Sequence, residues 1–137
     1  TPAAQEPRIG GSIAFVDLND ERTRSDALRK LRRRRSVPVV GVRQNIQGQP
    51  PGFCTALAFV AGVQEMAAQG LTFDLCITAD QLGEATELVR RCPATRFVLD
   101  HCGKPAIRDD AFAPWAAGIR TLASVKHGAC KLSGLCT

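Results

Sequence analysis

The residues able to do chemistry sit where short apolar runs stop. Phe97-Val98-Leu99 ends in Asp100-His101 and then breaks at Gly103 and Pro105. Apolar β-formers bounded by Gly and Pro read as a buried strand and its exit loop. An imidazole and a carboxylate at the mouth of such a strand suit metal binding or proton transfer. The same placement also suits a histidine that hydrogen-bonds its own loop. The chain holds only two histidines, so the placement of His101 carries weight. Arg43 and Ser133 close two other apolar runs in the same way. In parallel α/β folds the C-terminal strand ends line the ligand site, so three polar groups on three strands say more than one.

Those groups need elements to position them. Residues 13–18, 37–43, 71–77, 96–101 and 128–133 read as strands. Residues 20–34, 54–69, 79–91 and 112–124 read as helices, with Asn19 or Asp20 available as a first N-cap. Gly70 ends the second helix and Pro93 stops the third. Strict alternation predicts parallel β/α units with right-handed crossovers. Nearly continuous apolar strands predict cover on both faces. The fold class is therefore α/β, either an open doubly wound sheet or part of an eight-stranded barrel. No G-x-G-x-x-G follows the first strand, which argues against dinucleotide binding.

The 137 residues suffice for one domain, with residues 1–9 as a loop or linker. A 45% hydrophobic content supports a core, and 23% charged residues are ordinary for a soluble protein. No apolar run is long enough to span a bilayer, and the start lacks a secretory pattern. A cytoplasmic location follows as the expectation. The first residue is not Met, so the chain is expected to be processed or part of something longer.

Six cysteines invite a disulfide framework, but Cys76 and Cys130 lie inside apolar runs and no pair has C-x-x-C spacing. Free thiols in a reducing compartment are the expectation. The net charge of +5 concentrates at Arg29, Lys30, Arg32, Arg33, Arg34 and Arg35. Such a run can serve a module that binds nucleic acid or acidic partners. No aromatic residue interleaves with it, and cations suit the end of a helix, so a solvated helix end is favoured.

Several segments together resemble the amidohydrolase-related barrel hydrolases. Asp100-His101-Cys102-Gly103-Lys104-Pro105 resembles a D-H-x-G-K-P signature. Gly41-Val42-Arg43 with Gln47 resembles a G-V-R-h-x-x-Q strand end. Gly70 to Leu75 resembles G-L-x-F-D-L, and Cys130 to Leu135 matches C-K-L-S-G-L. The motifs run in order from about Gly10 onward and point to the lactonase-like subgroup. The resemblance implies a partial (β/α)8 TIM barrel, strands three to seven of eight. It also implies that the first strand's H-x-H pair and the eighth strand's aspartate lie outside this chain, so that the chain is an internal fragment. Gln44 stands where the family often has His.

The resemblance assigns roles residue by residue. His101 would be the catalytic imidazole, polarising the lactone carbonyl or ligating a divalent metal such as zinc; a metal-free mechanism is equally open. Arg43 would bind a substrate carboxylate or hydroxyl through its fork of donors, with Lys104 and Ser133 as further substrate contacts. Asp100 would orient His101 from behind or serve as a buried structural carboxylate, two readings that stand level. Asp74 and Asp17 would be barrel-interior groups without a catalytic role. The implied reaction is hydrolysis of a small-molecule lactone, a sugar lactone or muconolactone, by activated water. The isolated fragment should be inactive, since a catalytic metal needs about three protein ligands. Its open sheet edges should favour self-association. Membrane partners are excluded and nucleic acid is disfavoured.

Overall fold

The computed structural model describes residues 6–33, 37–125 and 128–134. Five strands alternate with four helices: β1 (Ser12–Ala14), α1 (Arg24–Arg32), β2 (Val39–Val42), α2 (Leu57–Ala68), β3 (Thr72–Leu75), α3 (Leu82–Arg91), β4 (Arg96–Leu99), α4 (Phe112–Ser124) and β5 (Gly128–Cys130). All pairings are parallel, and the sheet order is β1-β2-β3-β4-β5. This order decides between the two architectures. A doubly wound sheet reverses direction and puts helices on both faces. Here every right-handed crossover steps the same way, so every helix lies on the same face, as in a barrel wall.

The helix-side core follows from strand alternation. Phe73 lies beside Phe97 and Leu75 beside Leu99 in the β3–β4 register, and all four are buried. Val42 continues the Phe73 row on β2. Phe59 of α2 meets Phe73 edge-on at 5.8 Å, and Phe73 meets Phe97 edge-on at 6.1 Å. Full burial of each such side chain contributes roughly 1.5–3 kcal/mol. Gly62 lets α2 close onto the β1 exit, because a Cβ there would lie 2.6 Å from the Leu18 carbonyl oxygen. The opposite face has no helix over it, and Ile13, Phe15 and Val40 stay exposed. The expectation of cover on both faces is thus met on one face only among the described residues.

The elements are shorter than their apolar runs. Residues 20–23 form a turn rather than helix: Asp20 accepts the Thr23 hydroxyl at 2.7 Å and the Arg22 N–H at 3.0 Å. Thr23, not Asn19 or Asp20, is the N-cap of α1. Strand β1 stops at Ala14, and beyond it the Gln44 side chain replaces the ladder. Its Oε1 accepts the Leu18 N–H at 2.8 Å and its Nε2 donates to Asp17 at 3.1 Å. A 3-10 turn, Ala79–Gln81, precedes α3. Residues 1–5 of the expected linker lie outside the described residues, as do Arg34, Arg35 and Cys136.

Candidate functional site

Within β3, and one residue past β2, β4 and β5, the alternation turns charged groups onto the open face. Asp74 of β3 lies beside Val98 of β4, and both point away from the helices. The same parity carries Arg43 after β2, Asp100 after β4 and Lys131 after β5. The four side chains meet. Arg43 Nη1 donates to Asp100 Oδ2 at 3.2 Å. The Lys131 ammonium donates to Asp74 Oδ2 and lies 2.7 Å from Asp100 Oδ1, an ion pair outside hydrogen-bond geometry. Asp74 Oδ1 has no hydrogen-bond partner among the described residues.

Burial explains why this cluster holds its shape. The two carboxylates are 1% exposed, whereas Lys131 and Arg43 are 43% and 49% exposed. Removing an ionised carboxylate from water costs several kcal/mol unless a partner compensates. Two cations meet two carboxylates here, and the outer sides of both cations face the open barrel mouth. Burial pulls the Lys131 ammonium down, but Asp100 and Asp74 outweigh it and hold its pKa above the ordinary value. The hydrogen bond to Asp100 is the main reason the Arg43 guanidinium is also held up. Both groups are cationic at every physiological pH.

His101 stands beside this cluster with a different partner. Its Nδ1 lies 2.9 Å from Ser133 Oγ. A Cβ at Gly134 would lie 3.0 Å from the His101 Cβ, so the imidazole packs against glycine backbone. The Ser133 contact selects the tautomer: a donated hydroxyl proton leaves Nε2 as an N–H donor, and an accepted Nδ1–H leaves Nε2 as a lone pair. Of the two readings open for Asp100, its contacts are those of a buried structural carboxylate. Its oxygens engage Arg43 and Lys131, and Ser133 is the group that orients His101.

Lys104 lies on a separate branch. Its ammonium donates to Gln47 Oε1 and lies 3.8 Å from the Cys76 thiol. The structure thus brings His101 to Ser133 and Arg43 to Asp100, and ties Lys104 to the β2 and β3 exit loops. The Arg32 and Arg33 end of the basic run closes α1, which points its C-terminus at the opposite rim of the sheet. Lys131 is the member that sequence reasoning missed. The signal was present: Asp74 sits between Phe73 and Leu75 in a buried strand, and a buried carboxylate requires a cation.

These residues do not fit a divalent metal as they stand. They offer one imidazole, and both carboxylates are already compensated by Lys131 and Arg43. Among the described residues no group of three His, Cys, Asp or Glu side chains could hold a metal ion. Among the described residues no helix is long and apolar enough to cross a membrane.

A sequential parallel sheet, helices on one face and polar groups gathered at the strand C-termini define a (β/α)-barrel segment with its site at the barrel mouth. The amidohydrolase family model matches residues 2–137, and the chain belongs to that family. L-fucono-1,5-lactonase of Burkholderia multivorans is 32% identical over 142 residues, covering 98% of this chain and 47% of the relative. L-fucono-1,5-lactonase of Burkholderia ambifaria is 36% identical over 75 residues, covering 55% of this chain and 26% of the relative. The crystal structure of an amidohydrolase from Burkholderia multivorans with bound zinc superposes with a TM-score of 0.85. It is 31% identical and covers 97% of this chain and 47% of that one. The chain thus spans at most about half the length of these relatives.

Proposed function

We propose that the protein to which this chain belongs is a lactone hydrolase, and that this chain supplies one wall of its substrate site. The observation that carries the reading is the cluster of Arg43, Asp74, Asp100 and Lys131 beside the His101–Ser133 pair, in a chain similar to L-fucono-1,5-lactonases. Hydrolysis adds water across the lactone C–O bond and yields a hydroxy acid. The carbonyl oxygen gains negative charge as water attacks, and a donor aimed at it stabilises that charge. With Ser133 donating to Nδ1, His101 Nε2–H is that donor. The outward sides of Arg43 and Lys131 hold the hydroxyls of a sugar lactone and the carboxylate of the product. Lys104, tied to Gln47, shapes the far side of the mouth. Asp74 and Asp100 serve as counter-charges, so the group that takes the water's proton lies beyond these four residues.

A divalent metal enters this reading only through His101, as one ligand among donors that the described residues do not provide, and no step depends on it. The isolated chain is proposed to be inactive and to self-associate through the edges at β1 and β5. Five described cysteines are free, which suits a reducing cytoplasm.

The test is lactone hydrolysis by a protein of the relatives' length that carries this chain, with L-fucono-1,5-lactone as substrate. His101→Ala, which leaves no side-chain donor, should lower kcat by roughly 10²–10³, the usual loss for one oxyanion donor. Full activity in that variant would overturn the assignment.

A further inference from the structure

We propose that Cys102 and Cys130 form a thiol pair that closes to a disulfide under oxidising conditions and ties the His101 loop to strand β5. After Asp100 the backbone enters an unbroken left-handed run: His101, Cys102, Gly103 and Lys104 have φ of 52°, 53°, 68° and 46°. Only glycine adopts this region freely, so the turn is held by its contacts. The run folds Cys102 back over β5. The Cys102 N–H donates to the Lys131 carbonyl at 3.2 Å, and the Cys102 thiol donates to the same oxygen at 3.6 Å. The Cys130 thiol also reaches that oxygen, at 3.9 Å. Two thiols from different segments converge on one acceptor. From the other side, Trp115 Nε1 donates to the Cys102 carbonyl at 2.8 Å and fixes the loop on α4.

The remaining described thiols each have a different neighbour. Cys54 faces Glu84 at 3.7 Å, Cys92 faces the Val60 carbonyl at 3.8 Å, and Cys76 faces Lys104. The Cys130 thiol is held above its ordinary pKa by burial first and by the Cys102 thiol second, which reflects the same contact. Cys130 is exposed and Cys102 is buried, so an external disulfide reaches Cys130 first and Cys102 resolves.

The oxidant is a small-molecule disulfide of the oxidised glutathione class. Cys130 loses its proton to solvent and its thiolate attacks one sulfur, forming a mixed disulfide and releasing one glutathione thiolate. Deprotonated Cys102 then attacks Cys130 Sγ, the Sγ–Sγ bond forms, and the second glutathione leaves. The protein loses two protons and two electrons, and one oxidised glutathione becomes two reduced molecules. Cys102 follows His101 and Cys130 precedes Lys131. The bridge therefore joins the segments that carry the imidazole and the ammonium without using either group.

The chain is equilibrated with oxidised glutathione, quenched in acid, alkylated and mapped by peptide mass spectrometry. The expected product is a Cys102–Cys130 linked peptide as the main bridge, reversed by dithiothreitol. In Cys102→Ser, Cys130 should instead be recovered as its glutathione adduct. Recovery of alkylated Cys102 from the oxidised chain would overturn the proposal, as would Cys130 bridged mainly to Cys136 or to a second copy. Hydrogen exchange gives a second readout that needs no variant. The amides of Cys102 and Lys104 should exchange severalfold more slowly in the oxidised chain, and unchanged exchange would refute the tying of the loop.

Discussion

Replacing Lys131 with Met removes the one ammonium that serves two buried carboxylates. Met keeps most of the stem, so the loss is mainly charge. Breaking a fully buried pair by removing one partner costs about 3–5 kcal/mol. Lys131 is 43% exposed, so water screens part of the interaction, while Asp74 and Asp100 are 1% exposed and carry the desolvation. Discounting for that screening leaves about 2 kcal/mol. In a domain of this size such a loss lowers Tm by roughly 8 °C. Thermal unfolding followed by circular dichroism measures it, with Asp74→Asn added to the Lys131→Met chain as the control. The second change removes the uncompensated charge and should restore at least half of the lost stability. The pH dependence has a definite sign. The pKa of Lys131 is raised above its ordinary 10.5 in the folded chain, so its contribution is complete below that value. The gap between wild type and variant should stay flat from neutral pH to about 10 and close as pH rises through the folded pKa. A Lys131→Met chain as stable as wild type at pH 7, or a double variant no better than the single one, would refute the charge-compensation argument.

Two further outcomes follow from packing and burial. Gly62→Ala places a Cβ 2.6 Å from the Leu18 carbonyl oxygen and should cost about 1–3 kcal/mol in urea denaturation, whereas Gly83→Ala in α3 meets nothing within 4 Å and should stabilise by up to ~1 kcal/mol. Burial pushes the Cys54 and Cys92 thiols up to about 12 and about 11, so iodoacetamide at pH 8 should leave both unlabelled in the folded chain and label both in urea.

The strand and helix order was legible because each apolar run had its own period and its own Gly or Pro stop. Helix α4 matches its predicted bounds, and β4 starts where predicted. The ends were less legible because side chains decide them. Gln44 replaces the β1 ladder from 26 residues away, and Asp20 holds a turn where a helix was expected. The site was half legible for a similar reason. His101, Arg43 and Ser133 stand at strand ends, where polarity is conspicuous. Lys131 stands between Cys130 and Leu132, and only its parity with Asp74 and Asp100 marks it. Asp100 is adjacent to His101 in the chain, yet the left-handed turn at His101 separates their partners. That separation depends on backbone conformation that residue types do not announce.

The sequential order of the sheet also sets how the chain assembles. Each strand pairs only with its neighbours in sequence, so each β/α unit finds its place from contacts that are close along the chain. Such a wall can grow one unit at a time as the polypeptide emerges during synthesis. Its electrostatics cannot. Asp74 and Asp100 come in with β3 and β4, and the ammonium that compensates them arrives only with β5. Until then, among the described residues, the growing wall carries a negative pair with Arg43 alone against it. The last described strand therefore acts as the keystone of this cluster, and its docking is the step at which Asp74 and Asp100 gain their ammonium.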